Sequence, residues 1–143
     1  MELMQFRYSP YNEKVRWALD LKRIPHDRRS LLPGPHLPVV KRLTGRSGTP
    51  VLRHVAGVLD GSARILDWLE QRQPLPALYP ADPADCAEAL RVQSWFDDDI
   101  TPRIRRAVLS ALLESPRYWA QVFGAGRSSL AQAAYACIVP VAA

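Results

Sequence analysis

The chain has 143 residues, 48% hydrophobic and 23% charged, a composition that is typical of folded globular proteins and excludes disordered or fibrous ones. The net charge is +5, but the basic residues are spread along the chain and form no stripe with interleaved aromatics, which argues against nucleic-acid binding. Two distant cysteines and no apolar run of about 20 residues predict reduced thiols, no metal site and a cytoplasmic protein without a membrane span.

The first half of the chain alternates between strand-like and helix-like spacing, with proline and glycine at the boundaries. Its most regular helix begins at Ser9-Pro10, where a capping hydroxyl precedes a proline at the first helical position. The predicted order is strand, helix, strand, helix, strand, strand, helix. These elements are placed at 3–8, from 10, before 32, at 38–43, 49–52, 58–59 and from 62, where Ser62 is expected to cap the last helix.

The second half is expected to be helical. Residues 74–83 contain four prolines and no periodicity, which is typical of a linker. Beyond them apolar residues mostly lie four apart, and Thr101-Pro102 predicts a kink or a restart. Trp95 and Phe96 on this helix are interpreted as core residues. We therefore predict a domain at 1–73, a linker at 74–83 and an all-helical domain at 84–143.

Three segments resemble the glutathione transferase family. SPYNEKVR at 9–16 resembles the start of helix one in the serine- and cysteine-type classes, TPVL at 49–52 resembles the segment with the cis-proline, and SARI at 62–65 resembles the start of helix three. The resemblance implies an α/β thioredoxin-like N-terminal domain (βαβαββα) followed by an all-α C-terminal domain. That helical domain would be incomplete, because the family has several more helices. A homodimer is also implied.

The implied activity is the conjugation or reduction of a small hydrophobic electrophile with glutathione as co-substrate. Glutathione reacts as its thiolate, so the site needs a hydrogen-bond donor and a positive local field. Ser9 at a helix N-terminus would supply both, and lowering the thiol pKa by about two units takes ~2.7 kcal/mol. The alternatives are that Ser9 is only a helix cap, or that Tyr8 acts instead, as a tyrosine does in other classes.

The resemblance also assigns the binding of the tripeptide. A cis bond between Thr49 and Pro50 would let the backbone of Thr49 pair with the cysteinyl part of glutathione. Ser62 would bind the γ-glutamyl carboxylate, unless it is a plain cap. The family usually has an acid directly before this serine, whereas this chain has Gly61, so Asp60 is the candidate for the amino group. The glycyl carboxylate has three basic candidates: His36, Lys41 and Arg46.

Two other functions fit the same fold. A thiol redox protein would need a cysteine at the helix start, and this chain has Ser9 and Asn12 there, so disulfide exchange is not expected. The second alternative is a non-catalytic binding or structural module, or an inactive truncated fragment. It is favoured by Gly61 in place of the acid and by the small number of predicted helices.

Overall fold

A computed structural model describes the backbone of residues 1–142 and the side chains of residues 1–138. The strands are β1 (Glu2–Gln5), β2 (Asp27–Ser30), β3 (Val51–His54) and β4 (Gly57–Asp60). The helices are α1 (Pro10–Leu21), α2 (Leu37–Thr44), α3 (Ser62–Arg72), α4 (Pro83–Trp95), a π-helical turn (Phe96–Ile100), α5 (Thr101–Leu113), α6 (Pro116–Phe123) and α7 (Ser129–Ala142). The predicted βαβαββα order and the helical region after it are confirmed.

The four strands form one mixed sheet in the order β2-β1-β3-β4. β1 is parallel to β2 and antiparallel to β3, and β3 pairs with β4 so that Leu52 lies opposite Leu59. Side chains alternate across the sheet. Leu3 and Leu52 are fully buried in the cluster that contains the apolar face of α1 and α3, while Met4 and Val51 pack with Val40 of α2 on the other side. The sheet is therefore covered by helices on both faces.

Among the element ends that differ from the prediction, two lie directly before the starts of α1 and α3. β1 ends at Gln5, so the predicted strand end at residue 8 was wrong: residues 7 and 8 form a turn that leads into α1. At α3 the capping residue is Gly61, and Ser62 is the first helical residue and buried, so the expected cap at Ser62 was also wrong. Gly61 has φ 84° and ψ 136°, a backbone conformation that is essentially restricted to glycine.

The helical run from α4 to α5 contains the predicted restart. A π-helical turn directly precedes α5, and Pro102 is the second residue of α5. Proline has no N–H for the helical bond and its ring crowds the preceding turn, so the helix widens there. Trp95 and Phe96 are 51% and 48% exposed, so their interpretation as core residues was wrong. No helix within residues 1–142 is long and apolar enough to cross a bilayer.

Helices α6 and α7 are tied to the loop after β2. The indole N–H of Trp119 donates to the hydroxyl of Tyr135 at 2.9 Å, and that hydroxyl donates to the carbonyl of Pro33 at 2.8 Å. Burial raises the pKa of Tyr135, so this hydroxyl stays a donor at neutral pH. Arg7 donates to the carbonyl of Ala125 at 3.0 Å from the turn after β1. The helical region is thereby held beside the carboxyl end of β1, where α1 begins.

Candidate functional site

The start of α1 presents a serine hydroxyl that the helix itself does not use. Ser9 occupies the capping position with extended backbone (φ −136°, ψ 125°), and its side chain makes no capping hydrogen bond. Pro10 follows as the first helical residue. The side chain is half-buried at a helix terminus, where unpaired backbone N–H groups give a positive field. A hydroxyl in this position can donate to an anion.

Two tyrosines flank this serine. The hydroxyl of Tyr11 donates to the carbonyl of Asp97 at 2.6 Å, and burial, followed by the charge of Asp97, raises its pKa. The hydroxyl hydrogen of Tyr11 is therefore already donated to the π-helical turn that contains Asp97. Tyr8 is 58% exposed, and its ring lies edge-on to Phe123 with centroids 6.4 Å apart. Ser9 differs from Tyr11 because its hydroxyl makes no capping bond, and from Tyr8 because it is partly buried.

Two hydrogen bonds bring the three sequence motifs to one edge of the sheet. Asn12 of α1 is fully buried, and its Nδ2 donates to Oγ1 of Thr49 at 3.0 Å. The bond between Thr49 and Pro50 is cis. The carbonyl of Pro50 accepts from the backbone N–H of Gly61 at 3.1 Å, directly before Ser62. The N-terminal part of α1, the proline segment and the N-terminus of α3 are thus neighbours in the fold.

The N-terminus of α3 is a basic corner. Ser62 is buried there, and the first-turn backbone N–H groups of a helix have no partner within the helix. The carboxylate of Asp60 accepts from Arg64 at 2.6 Å and lies 3.5 Å from Nε of Arg46. Helix N-termini of this kind bind carboxylates and phosphates.

An open cavity of about 500 Å³ lies next to Tyr11, lined also by Pro102, Arg105, Arg106 and Leu109. Arg103 on the same helix is paired with Asp99 at 2.6 Å. Within the described part of the chain, no comparable ion pair holds Arg105 or Arg106. The sequence analysis missed both arginines and the bond from Asn12. The basic run directly after Pro102 was the available signal for the arginines.

No group of three or more His, Cys, Asp or Glu side chains among the described residues lies close enough together to hold a metal ion. The hydroxyls, helix N-termini and guanidinium groups described above suit an anionic ligand.

The sheet, its covering helices and the helical region after it define a thioredoxin-like domain joined to an α-helical one. Residues 3–77 match the family described as "Glutathione S-transferase, N-terminal domain". The chain belongs to the glutathione S-transferase family.

Several proteins are similar to this chain. A maleylpyruvate isomerase from Ralstonia sp. is 33% identical over 134 residues, which are 91% of this chain and 59% of that protein. The holo structure of a bacterial maleylpyruvate isomerase of the zeta class has a TM-score of 0.70 at 31% identity, covering 95% of this chain and 61% of that one. A glutathione S-transferase from Methylobacterium radiotolerans, in complex with glutathione sulfonate, has a TM-score of 0.63 at 29% identity, with 99% and 62% covered. This chain thus spans about three-fifths of their length.

Proposed function

We propose that this chain binds glutathione along the surface formed by the starts of α1 and α3 and the proline segment between them. The observation that carries the proposal is the pair of bonds from Asn12 to Thr49 and from Gly61 to Pro50, which joins three separate motifs. The similar structure with bound glutathione sulfonate supports the same ligand. Glutathione would be a co-substrate for conjugating or reducing a small hydrophobic electrophile.

Each residue has a proposed task. The backbone of Thr49 beside Pro50 would pair with the cysteinyl part of glutathione, and Ser62 with the α3 N-terminus would bind the γ-glutamyl carboxylate. The hydroxyl of Ser9 would donate to the thiolate sulfur. The sulfur then forms a bond to the electrophilic carbon, and either a leaving group departs or a neighbouring carbon takes a proton. Asp60 lies in the basic corner at the N-terminus of α3, beside the residues proposed to bind the γ-glutamyl part of glutathione.

Calorimetry with glutathione at pH 7 tests this proposal. Ser62→Ala removes a hydrogen bond to a charged group, which is expected to weaken affinity about 10-fold. Ser110→Ala, an exposed serine on α5, is the matched control and should bind like the parent chain. If the parent chain does not bind glutathione, or if both variants bind equally well, the proposal fails.

Asn12→Ala is expected to raise KM for glutathione about 10-fold and to lower the free energy of unfolding by about 1–2 kcal/mol. The substitution removes the bond that holds Thr49 against α1. Thr49→Val removes the same bond from the other side. Because both changes delete one interaction, the double variant should cost little more in KM than either single variant. Fully additive effects on KM would contradict a positioning role for this bond.

A second candidate function is a glutathione-dependent isomerase of a carboxylate-bearing substrate. The observation that favours it is the cavity beside Tyr11, which Arg105 and Arg106 line and which lies against the first turn of α1, the helix that begins after Ser9. Guanidinium groups bind carboxylates by charge and by paired hydrogen bonds. The similarity to maleylpyruvate isomerases points in the same direction.

Replacing both arginines by glutamine should separate the two functions. We expect KM for a carboxylate-bearing unsaturated substrate to rise at least about 10-fold, while KM for a neutral aromatic electrophile stays within about 2-fold. Arg103→Gln, on the same helix but paired with Asp99, is the control. Equal KM values for parent and double variant with the anionic substrate would rule out the carboxylate subsite.

We also propose a homodimer. The helical run from α4 to α5 exposes a stripe of apolar side chains that a second subunit would bury. Its members are at least 42% exposed: Leu90, Phe96, Ile104 and Val108.

A further inference from the structure

The carboxylate of Asp60 is occupied on both oxygens. Arg64, one turn into α3, donates to Oδ1 at 2.6 Å, and Nε of Arg46 lies 3.5 Å from Oδ2. The side chain of Asp60 is 14% exposed, whereas those of Arg64 and Arg46 are 60% and 72% exposed. The acid is thus held beneath two guanidinium groups, and the guanidiniums form the solvent-facing part of this corner.

The side chains of this corner carry a net positive charge. One carboxylate and two guanidiniums leave a formal excess of one positive charge, to which the N-terminus of α3 adds its own positive field. Such a corner attracts a carboxylate and repels an ammonium group. The neighbouring position offers no compensation, because Gly61 has no side chain.

The backbone conformation of Gly61 also disfavours an acidic residue at this position. Its φ of 84° with ψ of 136° strains any residue that has a Cβ, although the space around the missing Cβ is open. The chain therefore has a relaxed turn here and lacks a second carboxylate beside Ser62.

We infer that this site recognises the γ-glutamyl part of its thiol co-substrate by the carboxylate alone. This inference rests on the proposed function. The ligand class is a cysteinyl thiol whose amino group carries an acyl chain ending in a carboxylate, with or without the α-ammonium group of glutathione. Asp60 acts at this site as a positioning residue that holds Arg46 and Arg64 beside Ser62.

The test compares glutathione with glutaryl-cysteinyl-glycine, which has hydrogen in place of the amino group, by calorimetry on the full chain. We expect the analogue to bind as tightly as glutathione, within about 2-fold, or more tightly. Binding of glutathione more than about 10-fold tighter than the analogue would overturn this inference while leaving the proposed function intact. If neither ligand binds, the proposed function itself fails, and this inference with it.

A variant adds an independent readout. Arg64→Gln releases one oxygen of Asp60, so the ratio of the two affinities should shift about 5-fold toward glutathione. Any lost attraction for the shared carboxylate affects both ligands and cancels in the ratio. Arg91→Gln breaks a comparable exposed pair, with Glu88 on α4, and should leave the ratio unchanged. An Arg64→Gln variant with an unchanged ratio would show that the ion pair is structural only and overturn the inference.

Discussion

Replacing Ser9 by alanine should lower kcat/KM for glutathione conjugation about 100-fold, with the Kd for glutathione unchanged within about 2-fold. The hydroxyl makes no capping bond, so the substitution removes little from α1 itself. It does remove the donor proposed for the thiolate. A two-unit rise in the thiol pKa corresponds to ~2.7 kcal/mol, which is the free energy behind a 100-fold change.

Steady-state kinetics with the parent chain, Ser9→Ala and Tyr8→Phe measures this effect. Tyr8→Phe removes the other candidate hydroxyl and keeps the edge-on ring contact with Phe123. It should retain activity within about 3-fold of the parent. A large loss in Tyr8→Phe together with an active Ser9→Ala would assign the thiolate contact to the tyrosine.

Replacing Lys22 by methionine should lower the free energy of unfolding by about 3 kcal/mol. The Lys22 side chain is fully buried, pairs with Glu70 at 2.6 Å and donates to the carbonyl of Pro76 at 2.8 Å and to that of Gln73. It therefore joins the C-terminal end of α1 to α3 and the segment that leads to the helical region. Methionine fills similar volume but leaves Glu70 and both carbonyls without this donor.

Denaturant unfolding followed by circular dichroism checks the expected loss. Lys41→Met is the matched control, because Lys41 is an exposed lysine on α2. It should shift the unfolding free energy by less than about 0.5 kcal/mol. If Lys22→Met unfolds at the same denaturant concentration as Lys41→Met, the buried ion pair does not stabilise the junction.

The fold was predictable because its signals are local. The alternation of Leu3 with Met4 and of Val51 with Leu52 fixes which residues face each layer of helices. Ser9-Pro10 likewise marks the start of α1. The cap at Gly61 was missed because serine is the stronger capping signal in a sequence, and the positive φ of Gly61 is visible only in the structure.

The connections within the site were not predictable, because they join residues that are distant in sequence. Asn12 meets Thr49 across 37 positions, and nothing near either residue predicts that bond. Trp95 and Phe96 form an aromatic pair on a helix, which is more often core, yet the sequence cannot say whether a partner helix covers them. For Asp60, the sequence supplied a carboxylate at the right place but not the two arginines that occupy it.

The central claim is that this chain binds glutathione and holds it as the thiolate at the start of α1. The most direct measurement is the ultraviolet difference absorbance of the thiolate during a pH titration of the complex. We predict a midpoint about two pH units below that of free glutathione, and a return toward the free value in Ser9→Ala. A midpoint equal to that of free glutathione in the parent chain would contradict the account.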